Sequence, residues 1–462
     1  MTTISRAKLF RSLPPEPMLA PRPTAHKVMV LDDDPTGTQT VYGVAVVTEW
    51  SLPSLEAELR DASPCCYILT NTRAFPPERA RAINQEIGQA LARASRSTGR
   101  SVAVISRSDS TLRGHFPVET DALATALGVS FDGTLLIPAF FDGGRFTIDD
   151  VHYVAEGANL TPAGETEFAQ DASFGYRASN LREWVAEKTA GRVSAGEVAS
   201  ISIHDLRIGG VRAVASKLLA LASGSVVVVN AAARGDLAVL TQALSETEQA
   251  GRRYLFRTAA DFVAAYAGIE PRAWLTKAEM QFSQVAAGGL VVVGSYVGKT
   301  SAQLNVLLGH DPQLEPVEVQ VSRLLRPGSR PAEIHRCERA VNDGLARGKS
   351  VALFTSRRLL TGRTSQENLA IGETISASLV TIVRALSTPP RWLVAKGGIT
   401  ASEIATKALG IRRAMVLGQI ARGVPVWRAG EESRFPGLPY VVFPGNVGEP
   451  DTLRKVITLL GP

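Results

Sequence analysis

Short runs of β-branched and apolar residues alternate with longer amphipathic stretches along nearly the whole chain, and no other feature restricts the fold as strongly. Residues 28–31, 44–47, 67–69, 102–105, 134–137 and 226–229 read as strands buried on both faces. Between them, 78–96, 118–127 and 207–221 carry apolar residues at helical spacing. A second series starts at 290–293 and runs through 350–354, 392–395, 414–417 and 439–443. Such alternation predicts an α/β protein of two domains, each a mostly parallel sheet flanked by helices, with a cleft between them. The expected division is an arm at 1–26, a first domain at 27–268, a connector at 269–289 and a second domain at 290–462. Residues 143–175 interrupt the first series. They are too rich in Gly, Thr and acidic residues for a core element, and read as a long excursion that shapes a site.

Composition narrows the function classes. The chain has 462 residues, 45% of them hydrophobic and 20% charged, which suits a soluble protein with two cores. No apolar run approaches the ~20 residues a bilayer requires, so no membrane partner is expected. The first 26 residues are rich in Pro, Arg and Ser without the apolar segment of a secretory signal, and read as a poorly ordered arm. The net charge of +6 comes from scattered Arg, so a phosphorylated ligand explains it more simply than nucleic acid does. Cys65, Cys66 and Cys337 lack zinc-ligand spacing and read as reduced thiols of a cytoplasmic protein; the six His residues form no metal motif.

Open parallel sheets bind ligands outside the carboxyl ends of their strands, so the residues that follow each strand matter most. Asp32-Asp33-Asp34 closes the first strand and leads into Pro35-Thr36-Gly37. Three carboxylates there repel one another unless a cation, a sugar hydroxyl or a nearby Arg compensates; the blander alternative is an Asp-rich turn that caps the next helix. Arg107-Ser108-Asp109-Ser110-Thr111-Leu-Arg113-Gly114 follows another strand. It offers an acceptor, several hydroxyls and two forked guanidiniums suited to a carboxylate or phosphate, although Ser-Asp-Ser-Thr also starts helices well. Asn71-Thr72-Arg73 adds a third polar terminus.

In the second series, Gly294-Ser295-Tyr-Val-Gly-Lys-Thr300 resembles a P-loop but has three residues, not four, between Gly294 and Gly298-Lys299. Lys396-Gly397-Gly398-Ile-Thr400 joins a strand to a helix, where glycines admit a phosphate close to the backbone; Thr400 is then an N-cap or a phosphate contact. Gly445-Asn446-Val447-Gly448 follows the last strand. Together these turns outline one nucleotide pocket. His152 reads as a satisfied structural residue or a general base, and His115 lies closer to the acidic turns.

These motifs, in this order, make the chain similar to the four-carbon acid sugar kinase family. The similarity also rests on Ile137-Pro-Ala-Phe140, Gly144-Arg145, His152-Tyr-Val154, Thr161-Pro162, Glu165-Thr-Glu-Phe168, and Thr300 with Gln303. It implies an N-terminal substrate-binding domain, a C-terminal nucleotide-binding domain, ATP and Mg²⁺ as cofactors, and a homodimer. The implied reaction is ATP-dependent phosphorylation of a terminal hydroxyl on a short sugar acid such as 3-oxo-tetronate, threonate or erythronate. Asp33, Asp34, Arg73 and 108–111 match the family's substrate stretches, with Arg107 and Arg113 beside them. Ser295, Gly397, Gly398, Thr400 and 445–448 match its nucleotide stretches. Asp34 or Asp109 is the expected base, and Arg73 with Arg107 or Arg113 the expected grip on the acid's carboxylate. Thr38-Gln39 and Arg107 depart from the family pattern, which leaves a branched or longer acid such as 3-oxo-isoapionate as an alternative substrate. A non-catalytic sugar-acid and nucleotide regulator is the alternative of another class; an oxidoreductase lacks the Gly-x-Gly-x-x-Gly turn.

Overall fold

Strands without polar alternation need cover on both faces, and the chain supplies it by returning through a helix after almost every strand. The computed structural model describes residues 3–282, 287–310, 313–357, 360 and 364–461. It falls into two units, Met1–Pro271 and Arg272–Pro462.

In the first unit, parallel strands run in the order Ala199–Ile201, Ser225–Val229, Gly133–Ile137, Tyr254–Thr258, Val102–Arg107, Lys27–Asp32, Cys65–Leu69 and Val44–Val47. Helices Leu52–Arg60, Pro77–Thr98 and Val118–Leu127 bury Leu55, Ile83, Ile87, Leu91 and Leu123 against Met29, Leu31, Ile68 and Val104 on one face. Each such side chain contributes roughly 1.5–3 kcal/mol. All strands being parallel, every carboxyl end lies on one edge.

Three sequence expectations change here. The strand Tyr254–Thr258 sits between Gly133–Ile137 and Val102–Arg107, although its apolar run is broken by Arg257. That arginine is tolerated inside because Glu119 pairs with it at 2.9 Å. Residues 143–175 do contain a core element: strands Arg145–Ile148, Val151–Glu156 and Asn159–Pro162 form a small antiparallel sheet. Its Phe146, Ile148, Tyr153 and Leu160 pack with Ile203 and Ala232. Alternation with polar residues, visible in Arg145-Phe-Thr-Ile148, conceals this one-sided burial.

The arm expected to be poorly ordered is built onto that small sheet. Ile4–Ser5 pairs antiparallel with Asn159–Pro162, and helix Arg6–Arg11 with Leu13 covers the same apolar cluster. Phe10 meets Phe146 edge-on at 5.1 Å, with Arg6 over both rings. Farther along, the Pro14 carbonyl accepts from Arg207, Glu16 from the Gly235 amide, and Thr24 donates to Glu248. Apolar anchors at Leu9, Phe10 and Leu13 outweigh the Pro-rich composition.

The second unit orders its strands Arg413–Ala421, Val424–Ala429, Pro439–Phe443, Leu393–Lys396, Leu290–Val293, Ser350–Thr355 and Leu314–Val319, the first two forming an antiparallel hairpin and the last five running parallel. Part of the expected connector belongs to this unit. The Leu275 amide donates to the Gln419 carbonyl at 2.7 Å, and Met280 joins the core with Val291, Leu304 and Val441. Among the described residues, no helix is long and apolar enough to cross a membrane.

A chain beginning at Lys27 should unfold at a lower temperature, because Phe146 and Leu160 lose their cover. With about 1 kcal/mol for each half-buried apolar anchor lost, the melting point should fall by roughly 5–10 °C. An unchanged calorimetric midpoint would reduce the arm to a passive extension.

Candidate functional site

Register sets the first cluster. Asp32 lies opposite Leu69 on one side and Arg107 on the other, so the three polar termini that follow these strands emerge side by side. Asp34 realises both readings of the acidic turn. Its Oδ1 accepts from the Thr36 amide at 2.8 Å and caps the turn Pro35–Thr38, while its Oδ2 lies 2.7 Å from Arg73. The Asp32 carboxylate occupies the space where a Cβ on Gly37 would stand, which accounts for the glycine.

Arg73 is the hub. Its guanidinium lies 2.7 Å from Asp34, 3.6 Å from Asp33 and 3.3 Å from Asp109. Arg107 pairs with Asp32 at 3.3 Å; Arg113 pairs with Asp109 at 2.8 Å and Asp171 at 3.5 Å. The Ser108 hydroxyl donates to Asp33 and that of Thr111 to Asp109. Ser110 is buried and its carbonyl accepts from His152.

Burial is the largest single influence on each of these charges and opposes it, so the net direction shows which are compensated. Asp34 and Asp109 finish below the ordinary carboxylate value because Arg73, and for Asp109 first Arg113, outweigh burial. Asp33 is raised, and burial pushes Asp32 up to about 7 against the pull of Arg107. Arg73 finishes above the ordinary arginine value, its summed carboxylate neighbours winning over burial. The Asp34 and Asp109 side chains keep 19% and 14% exposure against 2% for Asp33, so the first two are the more accessible carboxylates.

Sequence reasoning missed the layer beneath. Arg257 donates to Glu119 at 2.9 Å and Ser106 at 3.2 Å, and Glu119 accepts from Thr72 at 2.5 Å. Gly114, at φ +122°, lets the 107–114 loop rest on this layer: a Cβ would come within 2.7 Å of Arg257 and 2.5 Å of Ser108. An arginine inside a strand-like run was the available signal. His152 bonds Thr147 and the Ser110 carbonyl, and burial lowers it to about 4, so it positions the loop. The His115 Nε2 faces the Thr72 and Phe75 carbonyls, so it serves the 71–75 turn.

In the second unit, the strands Leu290–Val293, Leu393–Lys396 and Pro439–Phe443 bring three turns together at Ser295. A Cβ on Gly397, which sits at φ +112°, would lie 3.1 Å from the Ser295 Cβ; one on Gly445 would lie 3.2 Å from its Oγ. Thr300 donates to the Gly445 carbonyl at 2.9 Å, and Gln303 to the Val447 and Glu449 carbonyls. Helix Gly398–Glu403 is capped by Gly397 without a side-chain bond, so Thr400 is no N-cap; its Oγ1 sits against Gly294 and Gly397. Asn446 is exposed and Val447 and Gly448 half-buried along the rim.

Two cations at this junction lack an acidic partner among the described residues. The Lys396 ammonium is fully buried, donates to the Pro444 carbonyl at 3.0 Å and stands 3.9 Å over Phe443; burial and Lys299 lower it to about 7. Arg357 spends Nη2 on the Ser295 carbonyl and Ser301 hydroxyl, while its Nε and Nη1 are buried without a partner. From sequence, Lys396 stands out only as the start of the Gly397-Gly398 turn, and Arg357 does not stand out. Such a junction, narrow enough to need glycine and rich in uncompensated donors, fits a phosphate chain. A divalent cation has no cage of its own here: no group of three His, Cys, Asp or Glu suited to a metal occurs among the described residues.

Comparison with known proteins decides the lineage. Residues 28–266 match the sugar-binding N-terminal domain and residues 290–453 the nucleotide-binding C-terminal domain of one family. The chain belongs to the four-carbon acid sugar kinase family. Among solved structures it is similar to a protein of Salmonella typhimurium LT2 provisionally called a tRNA synthase, at 17% identity and a TM-score of 0.67, over 94% of this chain and 98% of that one. It is also similar to Haemophilus influenzae protein HI1011 of the DUF1537 family, at 17% identity and a TM-score of 0.62, over 94% and 100%. At such identity the likeness concerns the fold. No curated relative matches the chain. The sugar-binding match contains the whole Arg73 cluster, and the nucleotide-binding match the whole Ser295 junction.

Removing Arg73 tests the electrostatics. Asp34 and Asp109 have folded pKa values below the ordinary 3.8, so their pairing stabilises the fold fully above that pH, and the gain declines below it and is lost as pH falls through the folded values. Arg73→Met should therefore cost about 3–5 kcal/mol near neutrality, with a smaller deficit at about pH 3. Urea unfolding at both pH values checks this. An equal deficit at each would mean lost packing rather than unpaired charge.

Proposed function

We propose that the protein is an ATP-dependent kinase that phosphorylates a terminal hydroxyl of a short sugar acid, with four-carbon acids such as 3-oxo-tetronate, threonate or erythronate as its substrate class. The observation that carries the reading is the junction at Ser295. Three glycine-bearing turns converge there beside Lys396 and Arg357, two cations without a counter-ion among the described residues. The family's paired sugar-binding and nucleotide-binding domains support the same reading.

Phosphoryl transfer asks a protein for positioning and charge neutralisation more than for covalent chemistry. In the first unit, Asp34 and Asp109 orient the acceptor hydroxyl and one of them takes its proton; their low basicity suits a proton that leaves late, as phosphorus–oxygen bonding advances. Asp33 and Ser108 hold the turn behind them, and Arg73 keeps the carboxylates from repelling one another. In the second unit, amides of Gly397, Gly398 and 445–448 with Ser295 and Thr400 receive the nucleotide's phosphates. Mg²⁺, when bound, would arrive with the nucleotide and neutralise charge between its phosphate oxygens.

A coupled ADP-release assay over a panel of sugar acids tests the proposal, with turnover on a four-carbon acid as the expected result. Binding of acid and ATP without ADP release would favour the regulator reading instead. Asp34→Asn and Asp109→Asn should each leave ATP affinity within about twofold, and the variant that removes the base should lose about 10²–10⁴-fold in kcat. Arg357→Met should weaken ATP binding about tenfold or more without lowering the melting point, because it deletes a half-buried charge that has no acidic partner among the described residues. A lower melting point with unchanged ATP affinity would make Arg357 a structural clamp on Ser295.

A further inference from the structure

Five guanidiniums stand around the acidic turns at the carboxyl edge of the first unit, and their partners differ. Arg73, Arg107, Arg113 and Arg257 each have a carboxylate within 3.5 Å. Arg145 has no carboxylate within ion-pair distance among the described residues. Its Nη1 donates only to the Gly143 carbonyl, and its Nε is buried without a partner.

Its place in the fold is well defined. Backbone bonds between Arg145 and Phe140 hold it three residues past the strand Gly133–Ile137, on the same edge as the acidic turns. Its guanidinium and that of Arg113 both lie over the Phe168 ring, at 5.6 and 5.2 Å. A ring face offsets part of one charge but not two cations at once. Burial depresses the Arg145 pKa, and the attraction of Asp109 and Glu156 does not restore it. A half-buried guanidinium whose Nε is buried without a partner is costly unless an anion completes it.

We propose that Arg145 binds the carboxylate of the substrate and sets the enzyme's preference for acids over neutral polyols; this rests on the kinase reading above. Arg73, Arg107 and Arg113, the sequence candidates for that role, are already neutralised by Asp33, Asp34, Asp109, Asp32 and Asp171. An incoming carboxylate is repelled from the Asp33-Asp34 turn and attracted to the Arg145–Phe168–Arg113 side. The acid is thereby oriented, its carboxylate at Arg145 and its terminal hydroxyl at Asp34. The forked donors of Arg145 match a carboxylate in two parallel bonds, which a hydroxymethyl group cannot form.

The test compares the acid that the full-length enzyme turns over best with the polyol carrying a hydroxymethyl in place of its carboxylate. In Arg145→Gln the KM for the acid should rise about 10–100-fold while that for the polyol stays within about threefold. Arg145→Lys should recover part of the loss. The unliganded melting point of Arg145→Gln should equal or exceed that of the parent, which separates the effect from misfolding. A parallel rise in both KM values, or an unchanged KM for the acid, would overturn the assignment. Where neither compound is phosphorylated, the kinase reading fails, and calorimetry still decides this one: acid binding present in the parent and lost in Arg145→Gln upholds it. Binding retained in the variant, or absent from both proteins, rejects it.

Discussion

Three carboxylates share one guanidinium at Arg73, and the first unit is arranged around offsetting their charge. Asp33, Asp34 and Asp109 come from two loops that parallel strands force to emerge together. Without Arg73 these carboxylates would stand uncompensated in a largely buried place, at a cost of about 3–5 kcal/mol. The second layer of Arg257, Glu119 and Thr72 then supports the knot from below. A polyhydroxylated ligand would meet carboxylates whose charge is partly offset, and could exchange hydrogen bonds with them.

The second unit follows the opposite rule. Around Ser295 the buried Lys396 and the half-buried Arg357 are left without an acidic partner among the described residues, and glycines replace side chains where the turns crowd. Balanced charge suits a hydroxyl-bearing ligand and unbalanced positive charge suits an anion. Arg145 is the point where the first unit departs from its own rule. On the proposed kinase reading, these two electrostatic regimes would divide the labour of phosphoryl transfer, acceptor orientation in one and phosphate neutralisation in the other.

Much of this was legible beforehand. Apolar runs marked the strands Lys27–Asp32, Val102–Arg107, Leu290–Val293 and Leu393–Lys396, and the polar residues after them formed both clusters. Periodicity sees local sequence, so it missed Tyr254–Thr258, whose Arg257 is made acceptable only by Glu119 from a helix far away in the chain. It missed the small sheet at Arg145–Ile148 and its arm because one-sided burial resembles a polar loop. Asp34 as turn cap and Asp34 as a carboxylate offset by a nearby Arg looked like rivals; Oδ1 does the first and Oδ2 meets Arg73.

The sequence by itself determined the alternation of strand and helix, the edge on which the polar loops fall and the lineage, since these follow from short-range periodicity and ordered motifs. Only the tertiary structure decided which charges cancel. Arg73, Arg107, Arg113 and Arg145 are alike as letters, and each has carboxylates not far along the chain. Whether a guanidinium is spent or free depends on distances of a few ångströms between groups brought together from separate strands, because desolvated charges interact strongly only at such range.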